Sequence, residues 1–578
     1  MKGIAGATKL SLLAASCVLS ASAQAQQIDL SRIGDRRADA PRASDTENAA
    51  WRSILAAYDA KDWTRMDALL AAQPDSPIKG FILAEYYTAA GSPRTELADI
   101  ENWLGRYAYL PQAEQIARLG QRRGSTASYA LPLRQQTYRA PAISKRLRPR
   151  GVADGTMPAE IGEAVQEHIK NDDPDSARLL LDGIDAALSD EAKAEWRQRV
   201  AWSYYIENRD AASLAMARTA REGSGPWVAE GDWTVGLAAW RLGDCTSALD
   251  GFARAARGAG DSELRTAAHY WAARSATRCR RPVDAARHLR SAAGDDETLY
   301  GMLAREQLGQ PLPGNHRITP MSREDWRALS SRPNAQLSVT LAQLGRDVWA
   351  SQALQHEVLT GDRAHYSSLA RLARHLNLPR TQVWMGMNIP RGAQPDPALR
   401  YPTTAWQPSE GWRVDPALAF AHTLQESDFS AGAVSPANAI GLMQVRPIAA
   451  RDVAGRTNLN AAYADLKDPA TNLTFGQRNL EKLSEAGATR GHLPKVMAAY
   501  NAGLTPVTRW NDEVRDGGDP LLYMESIPYW ETRSYVAIVM RNYWMYLRQR
   551  QDTAPSRLDL AQNRWPIFPQ GRSTRMSN

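Results

Sequence analysis

Cysteine and histidine are scarce in this chain, with three Cys and nine His among 578 residues. None of their spacings matches a zinc site, so no metal ligands are expected, and no cofactor signature is present. Long hydrophobic runs are missing as well. After residue 25 no stretch reaches 18 apolar residues, which argues against an integral membrane segment. Charge of one sign never gathers into a block, and no nucleic-acid-binding motif appears, so nucleic acid is not an expected partner. The overall excess is a modest +7, which suits an anionic polymer without demanding one.

What is present begins with an export pattern. Lys2 and Lys9 precede an apolar run from Leu10 to Leu19, and small-x-small sites follow at Ala21-Ser22-Ala23 and Ala23-Gln24-Ala25. Residues 1–25 therefore read as a signal peptide, and the mature protein is expected in the periplasm. Cys17 could suggest a lipoprotein, but the residue three before it is Ala14 rather than Leu and the apolar run continues past it. Removing the two lysines lowers the net charge to +5. Cys245 and Cys279 remain, and a disulfide or two buried free thiols fit equally well in an oxidising compartment.

From Ala49 to about Leu308 the chain is rich in Ala and Leu and is punctuated by Gly, Asp or Pro. Trp202-Ser203-Tyr204-Tyr205 leads into Asn208-Arg209-Asp210, and Trp240-Arg241-Leu242 leads into Gly243-Asp244. Trp271-Ala272-Ala273 repeats the scheme before Arg281-Pro282. Asp210 and Asp244 lie 34 residues apart, as do Cys245 and Cys279. A helix-turn-helix unit recurring at that period indicates a tetratricopeptide-like superhelix, its aromatics serving as knobs between stacked helices. Gly309 to Thr319 and Pro390 to Tyr401 read as connectors. Between them, helices are expected over 337–344, 348–359 and 366–376.

The stretch that carries chemistry runs from Leu418 to Pro447. Asp415-Pro416 is a helix start. Ala417, Phe420, Ala421 and Leu424 then form one apolar face, and Glu426 falls roughly opposite it. The helix does not bury its own acid, so another segment must cover it. Phe429 to Asn438 has loop composition, Gly441 permits close backbone approach, and Gln444 offers a donor and an acceptor. A loop folded over Glu426 would desolvate it and raise its pKa, as a general acid at neutral pH requires.

Three motifs then fall in order within residues 426–535. The first comprises Glu426-Ser427, Ser435-Pro436 and Gly441-Leu442-Met443-Gln444. The second is Ala499-Tyr500-Asn501-Ala502-Gly503. The third is Glu525-Ser526-Ile527-Pro528 with Glu531-Thr532-Arg533-Ser534-Tyr535. Together they resemble the motifs of the soluble lytic transglycosylases, over roughly Tyr401 to Arg548. The resemblance implies an all-α protein. A long helical-repeat superhelix, ring-like, would occupy 26–310, a small helical linker domain 311–398, and a goose-type-lysozyme-like α domain 399–550. Residues 551–578 would form an irregular tail. Catalytic-domain helices are expected over 416–427, 442–454, 469–485, 493–501 and 532–548.

The same resemblance implies an activity and a set of roles. Glu426 would be the catalytic acid-base. Ser435, Gly441, Met443, Gln444, Tyr500, Asn501 and Glu531 would bind substrate. Ser435 would bond near Glu426 or the sugar's acetamido group, and Tyr500 would point its hydroxyl at the reacting centre or hold Glu426. Glu531 would shape the cleft, or else pair with Arg533 or Arg541. Met443 could equally be core. Ordinary glycosidases need two carboxylates, yet Asp428, two residues past Glu426, is about 200° around the helix. A single acid suffices when the substrate supplies its own nucleophile, closing a 1,6-anhydromuramoyl end on peptidoglycan. A lysozyme-type muramidase and an inactive peptidoglycan-binding scaffold are the alternatives. Partners would be peptidoglycan glycan strands and other cell-wall enzymes, with the chain a monomer. Asn438 stands where the family commonly has Gly and Arg446 where Met is frequent. Asn479 replaces a usual Tyr, and His422 reads as a structural residue one turn before Glu426.

Overall fold

The structure is a computed structural model that describes residues 45–139, 143–314, 316–462 and 464–569. The expected signal peptide and Cys17 lie outside the described residues. Among those described, no helix is long and apolar enough to cross a membrane. The fold is almost wholly helical; the one named sheet pairs Thr137–Arg139 antiparallel with Asn388–Pro390.

Local sequence explains where many helices begin. Asp-Pro recurs at Asp173-Pro174, Asp415-Pro416, Asp468-Pro469 and Asp519-Pro520, and each time the Asp carboxylate accepts a hydrogen bond from a first-turn backbone N–H. Proline supplies a helical φ at a position whose N–H has no partner to lose. The linker helices form at Pro333–Gln343, Asp347–Thr360 and Tyr366–His375, each within a few residues of expectation.

The superhelix stacks antiparallel helix pairs: Asp190–Ile206 with Asp210–Thr219, Trp227–Arg241 with Cys245–Gly258, and Ser262–Arg278 with Pro282–Ala292. Aromatic knobs fill the spaces between them. Trp271 is fully buried and meets Trp240 edge-on at 5.3 Å, while Trp202 packs on Tyr205 at 5.1 Å. Cys245, the first residue of one helix, is bonded to Cys279 at the end of the next, with Cα atoms 5.5 Å apart. The disulfide is the alternative the structure selects.

Packing does not follow chain order. Helices from Trp51 to Ala117 share one core with the linker helices from Leu329 to Leu399. The superhelix from Val165 to Ala304 shares another with residues 401–568. Polar ties cross that second core. Tyr300 donates to Glu525 at 2.7 Å, Tyr205 meets Ser526 at 2.8 Å, and Arg541 pairs with Glu263 at 2.9 Å. Arg146 bridges Glu230 at 2.6 Å and Glu525 at 3.3 Å. Glu525 and Ser526, singled out as motif residues, are thus buried against the superhelix.

Two expectations are corrected. The helix expected from 442 begins only at Pro447, because Gly441 at φ +75° and Gln444 at φ +48° bend the chain into a tight turn first. The segment read as an irregular tail forms a helix, Pro555–Ala561. It then docks: Trp565 stacks on His492 at 4.6 Å, Phe568 is buried, and Phe568 N–H donates to Gly491 at 2.8 Å. Two aromatic anchors, without helical periodicity, hold it.

The cross-link closes 34 residues of chain. The chain-entropy argument puts its stabilisation at about 4 kcal/mol. Replacing both cysteines with serine is expected to lower the denaturant midpoint of unfolding, measured by circular dichroism, relative to the oxidised protein.

Candidate active site

Glu426 is the penultimate residue of the helix Pro416–Ser427, whose Ala417 to Leu424 stretch is buried throughout. The helix stops because Asp428 and Phe429 both adopt left-handed backbone, at φ +48° and +61°. That ending turns the chain into the loop 430–446, which folds back as expected. Ile440 bridges both Val434 and Val445, and Gly441 N–H donates to Ala433 at 2.8 Å.

The acid is half-buried. Its neighbours exclude water enough to push its pKa up to about 7, and the charge of Glu531 pushes the same way. The negative end of the helix dipole acts in that direction too. One interaction opposes them: the Tyr535 hydroxyl donates to Glu426 Oε1 at 2.6 Å. Burial and the glutamate's charge hold Tyr535 and Tyr500 well above the usual phenol range, so both remain hydroxyls.

Several site residues sit differently from expectation. Tyr500 does not hold Glu426; its hydroxyl donates to the Met443 carbonyl at 2.7 Å, and its ring lies 4.7 Å from that of His422. Met443 is fully buried against Gly476, so its side chain is core and only its backbone faces Tyr500. Gly441 is required by its positive φ and by Leu466 O and Asn472, which occupy the space a Cβ would need. Gln444 Nε2 donates to Gly441 O at 2.9 Å, closing the turn on itself. Ser435 Oγ accepts from Ala439 N–H at 3.0 Å and makes no bond to Glu426. Asn501 Oδ1 accepts from Thr532 at 2.7 Å, tying the Tyr500 helix to the Tyr535 helix.

Glu531 is exposed and has no ion pair among the described residues. Arg541 is committed to Glu263, and Arg533 donates to Ile527 O at 3.1 Å. Asp428 responds to Arg380 and Lys145 rather than to Glu426. Asn438 takes the left-handed turn at φ +58°, a conformation asparagine tolerates. Arg446 is exposed at the start of the Pro447–Val453 helix.

Two residues that matter were passed over. Tyr535 stood in a motif without a role, because its partner lies 109 positions away. Asn472, fully buried in the helix Pro469–Glu485, staples the loop. Its Oδ1 accepts from Met443 N–H at 2.8 Å, and its Nδ2 donates to Ile440 O and Leu466 O, both at 2.8 Å. An asparagine on a buried helix face, where an apolar residue would pack at no cost, was the available signal.

A family model described as the Transglycosylase SLT domain matches residues 404–521, which include Glu426, the loop and Tyr500. Over that span the chain is similar to this family domain, and the relatives it resembles are soluble lytic transglycosylases. A Haemophilus influenzae protein assigned as a soluble lytic murein transglycosylase is 27% identical over 274 residues, covering 45% of this chain and 44% of that one. The soluble lytic murein transglycosylase of Escherichia coli is 31% identical over 134 residues, 23% of this chain and 20% of its own length. The chain therefore matches less than half the length of these relatives. The fold extends further. The solved 70 kDa soluble lytic transglycosylase of E. coli superposes with a TM-score of 0.55 at 16% identity, covering 91% of this chain and 100% of that one. An inactive mutant of a Pseudomonas aeruginosa lytic transglycosylase gives 0.51 at 17%, covering 90% and 83%. At those identities the likeness is one of fold: an all-α superhelix carrying a lysozyme-like domain.

The staple makes a sharp expectation for this family domain. Asn472→Ala leaves the Met443 N–H and the Leu466 carbonyl without partners, while Ile440 O keeps the Val445 N–H, so stability should fall by about 2–4 kcal/mol. Hydrogen exchange at the Met443 amide should accelerate well beyond the global change, because the turn loosens locally.

Proposed function

We propose that this protein is an exported, periplasmic lytic transglycosylase. It would cleave the β-1,4 bond between N-acetylmuramic acid and N-acetylglucosamine in peptidoglycan and leave 1,6-anhydromuramoyl ends. The observation that carries the reading is a carboxyl raised to about 7 with no cation among the groups that shift it. Such a group is still protonated near neutrality and can donate to a glycosidic oxygen. Once ionised, it can accept a proton back, here from the muramic 6-hydroxyl as that oxygen closes on the anomeric carbon. The acetamido oxygen of the same sugar stabilises the cationic centre between the two steps, which is the substrate-assisted route.

The remaining residues take supporting roles in this scheme. Gln444, Ser435 and the backbone of Gly441 and Met443 lie in the loop and turn that follow the acid's helix and would meet the sugars. Tyr500 would hold the loop carbonyl in place, and Asn501 would hold the Tyr535 helix. Exposed Glu531 would contact substrate while keeping the acid's pKa high. Among the described residues it is also the one other carboxylate whose charge shifts Glu426, so a hydrolytic, lysozyme-type outcome would have to run through it. The basic net charge suits a polymer whose stems carry carboxylates.

Three measurements test this. Muropeptide mass spectrometry should find products one water lighter than hydrolysed ends; fully hydrated ends would make the protein a muramidase. Glu426→Gln should lower turnover about 10²- to 10⁴-fold. Wild-type turnover should fall as pH rises through about 7, where the acid ionises. Stability gives an independent check. Because the folded pKa is raised, the unfolded chain ionises first as pH climbs from 4.5 to 7, and the native state is weakened over that window. Glu426→Gln escapes the penalty, so its melting temperature at pH 8 should match or exceed that of the wild type.

A further inference from the structure

His422 lies one helical turn before Glu426, and nothing in the scheme above uses it. It is fully buried, and burial pulls its pKa down to about 3, so the imidazole is neutral at every working pH. Its Nδ1 lies 2.7 Å from the Tyr535 hydroxyl, the same hydroxyl that lies 2.6 Å from Glu426 Oε1. Its Nε2 has no hydrogen-bond partner among the described residues. The groups facing this chain are few: Tyr500 packs on the His422 ring, and Glu531 acts on Glu426 from the first turn of the Tyr535 helix. No cation appears among the causes that shift either His422 or Glu426.

Counting protons fixes the direction of the chain. A phenol has one proton to give, and an ionised carboxylate can only accept. Tyr535 must therefore donate to Glu426, and its oxygen must accept from His422, which places the imidazole proton on Nδ1. The reverse arrangement would have Glu426 donate to Tyr535 and Tyr535 donate to His422. That would move the imidazole proton to Nε2, a buried N–H with no acceptor, the less tolerated kind of orphan group. A bare Nε2 lone pair is the cheaper state.

We propose that His422 is a positioning residue that locks the polarity of the Tyr535–Glu426 hydrogen bond. Oε1 is then an acceptor from Tyr535 in both ionisation states, so the acid's transferable proton is confined to Oε2, turned away from the tyrosine. His422 touches neither substrate nor reacting atoms; it acts through Tyr535. The reading rests on Glu426 being the general acid, but its own signature can be read without turnover.

The test combines a spectrum with a pH profile. In ¹⁵N-histidine-labelled protein, the resonance pair lost in His422→Leu should show the proton on Nδ1 and stay unchanged from pH 5 to 8. A proton on Nε2, or titration within that range, would overturn the proposal whatever the enzyme does. In kinetics, His422→Leu frees the tyrosine hydroxyl and weakens its hold on the carboxylate. The Glu426 pKa should rise, and the alkaline limb of turnover should move up by about half to one pH unit. His422→Asn, whose amide can donate from nearly the same place, should restore the limb to its wild-type position. Tyr535→Phe should shift the limb at least as far, and adding His422→Leu to it should shift it no further. A His422→Leu limb that coincides with wild type, with only the melting temperature lowered, would reduce His422 to core packing. Absence of turnover in the wild type would overturn the functional reading and leave the tautomer result standing on its own.

Discussion

One carboxyl group is kept from water with no cation among the described residues to compensate it, and the architecture around it follows from that constraint. Glu426 feels burial, the charge of Glu531 and the dipole of its own helix, all favouring the neutral acid, and a single phenol that favours the anion. A salt bridge would have been a more stable arrangement for the fold. It would also have held the pKa low and left no proton to give near neutrality. The site is thus a place where stability is lower than it could be, and the surrounding elements must hold it in spite of that.

They do so through the helix Trp530–Arg550. Its first turns bring Tyr535 and the charge of Glu531 to the acid and tie Thr532 to Asn501, while Arg541 further along reaches Glu263 of the superhelix. Just before it, Glu525 and Ser526 are gripped by Tyr300 and Tyr205 of the same superhelix. A hydrogen bond of 2.6 Å onto Glu426 needs its donor placed to within a few tenths of an ångström. Anchoring the donor's helix to a large, disulfide-braced stack of helices supplies that precision. On the far side, Leu493 N–H donates to Pro566 O at 2.8 Å, so the docked C-terminal segment steadies the start of the Tyr500 helix.

Much of this was legible in the residues, and the exceptions share a cause. The acid's helix was readable because Asp415-Pro416 and the Ala417–Leu424 spacing are local signals; its bounds are those expected. The helix Pro469–Glu485 was readable for the same reason. The turn at 441–446 was not, since Gln444 has no intrinsic preference for left-handed backbone and adopts it under tertiary constraint. Residues 555–569 were missed because their order comes from Trp565 and Phe568 landing on distant surfaces. Likewise, nothing in the amphipathic helices of the first described segment announces that they pack on the linker helices rather than on the superhelix that follows them. Periodicity says which face is buried, never against what.

The same limit explains why the hold on Glu426 offered to Tyr500 from the sequence belongs to Tyr535 in the structure. Tyr500 is half-buried and Tyr535 buried, on helices that pack together, and both hydroxyls are within reach of something polar. Motif likeness favours the first. Hydrogen-bond accounting separates them: the Tyr500 proton is committed to a backbone carbonyl of the turn, leaving Tyr535 as the donor to the carboxylate. One tyrosine therefore sets where the loop stands and the other sets when the acid ionises. Position and acidity of a single group are controlled by two separate contacts, so either could change in sequence without the other being lost.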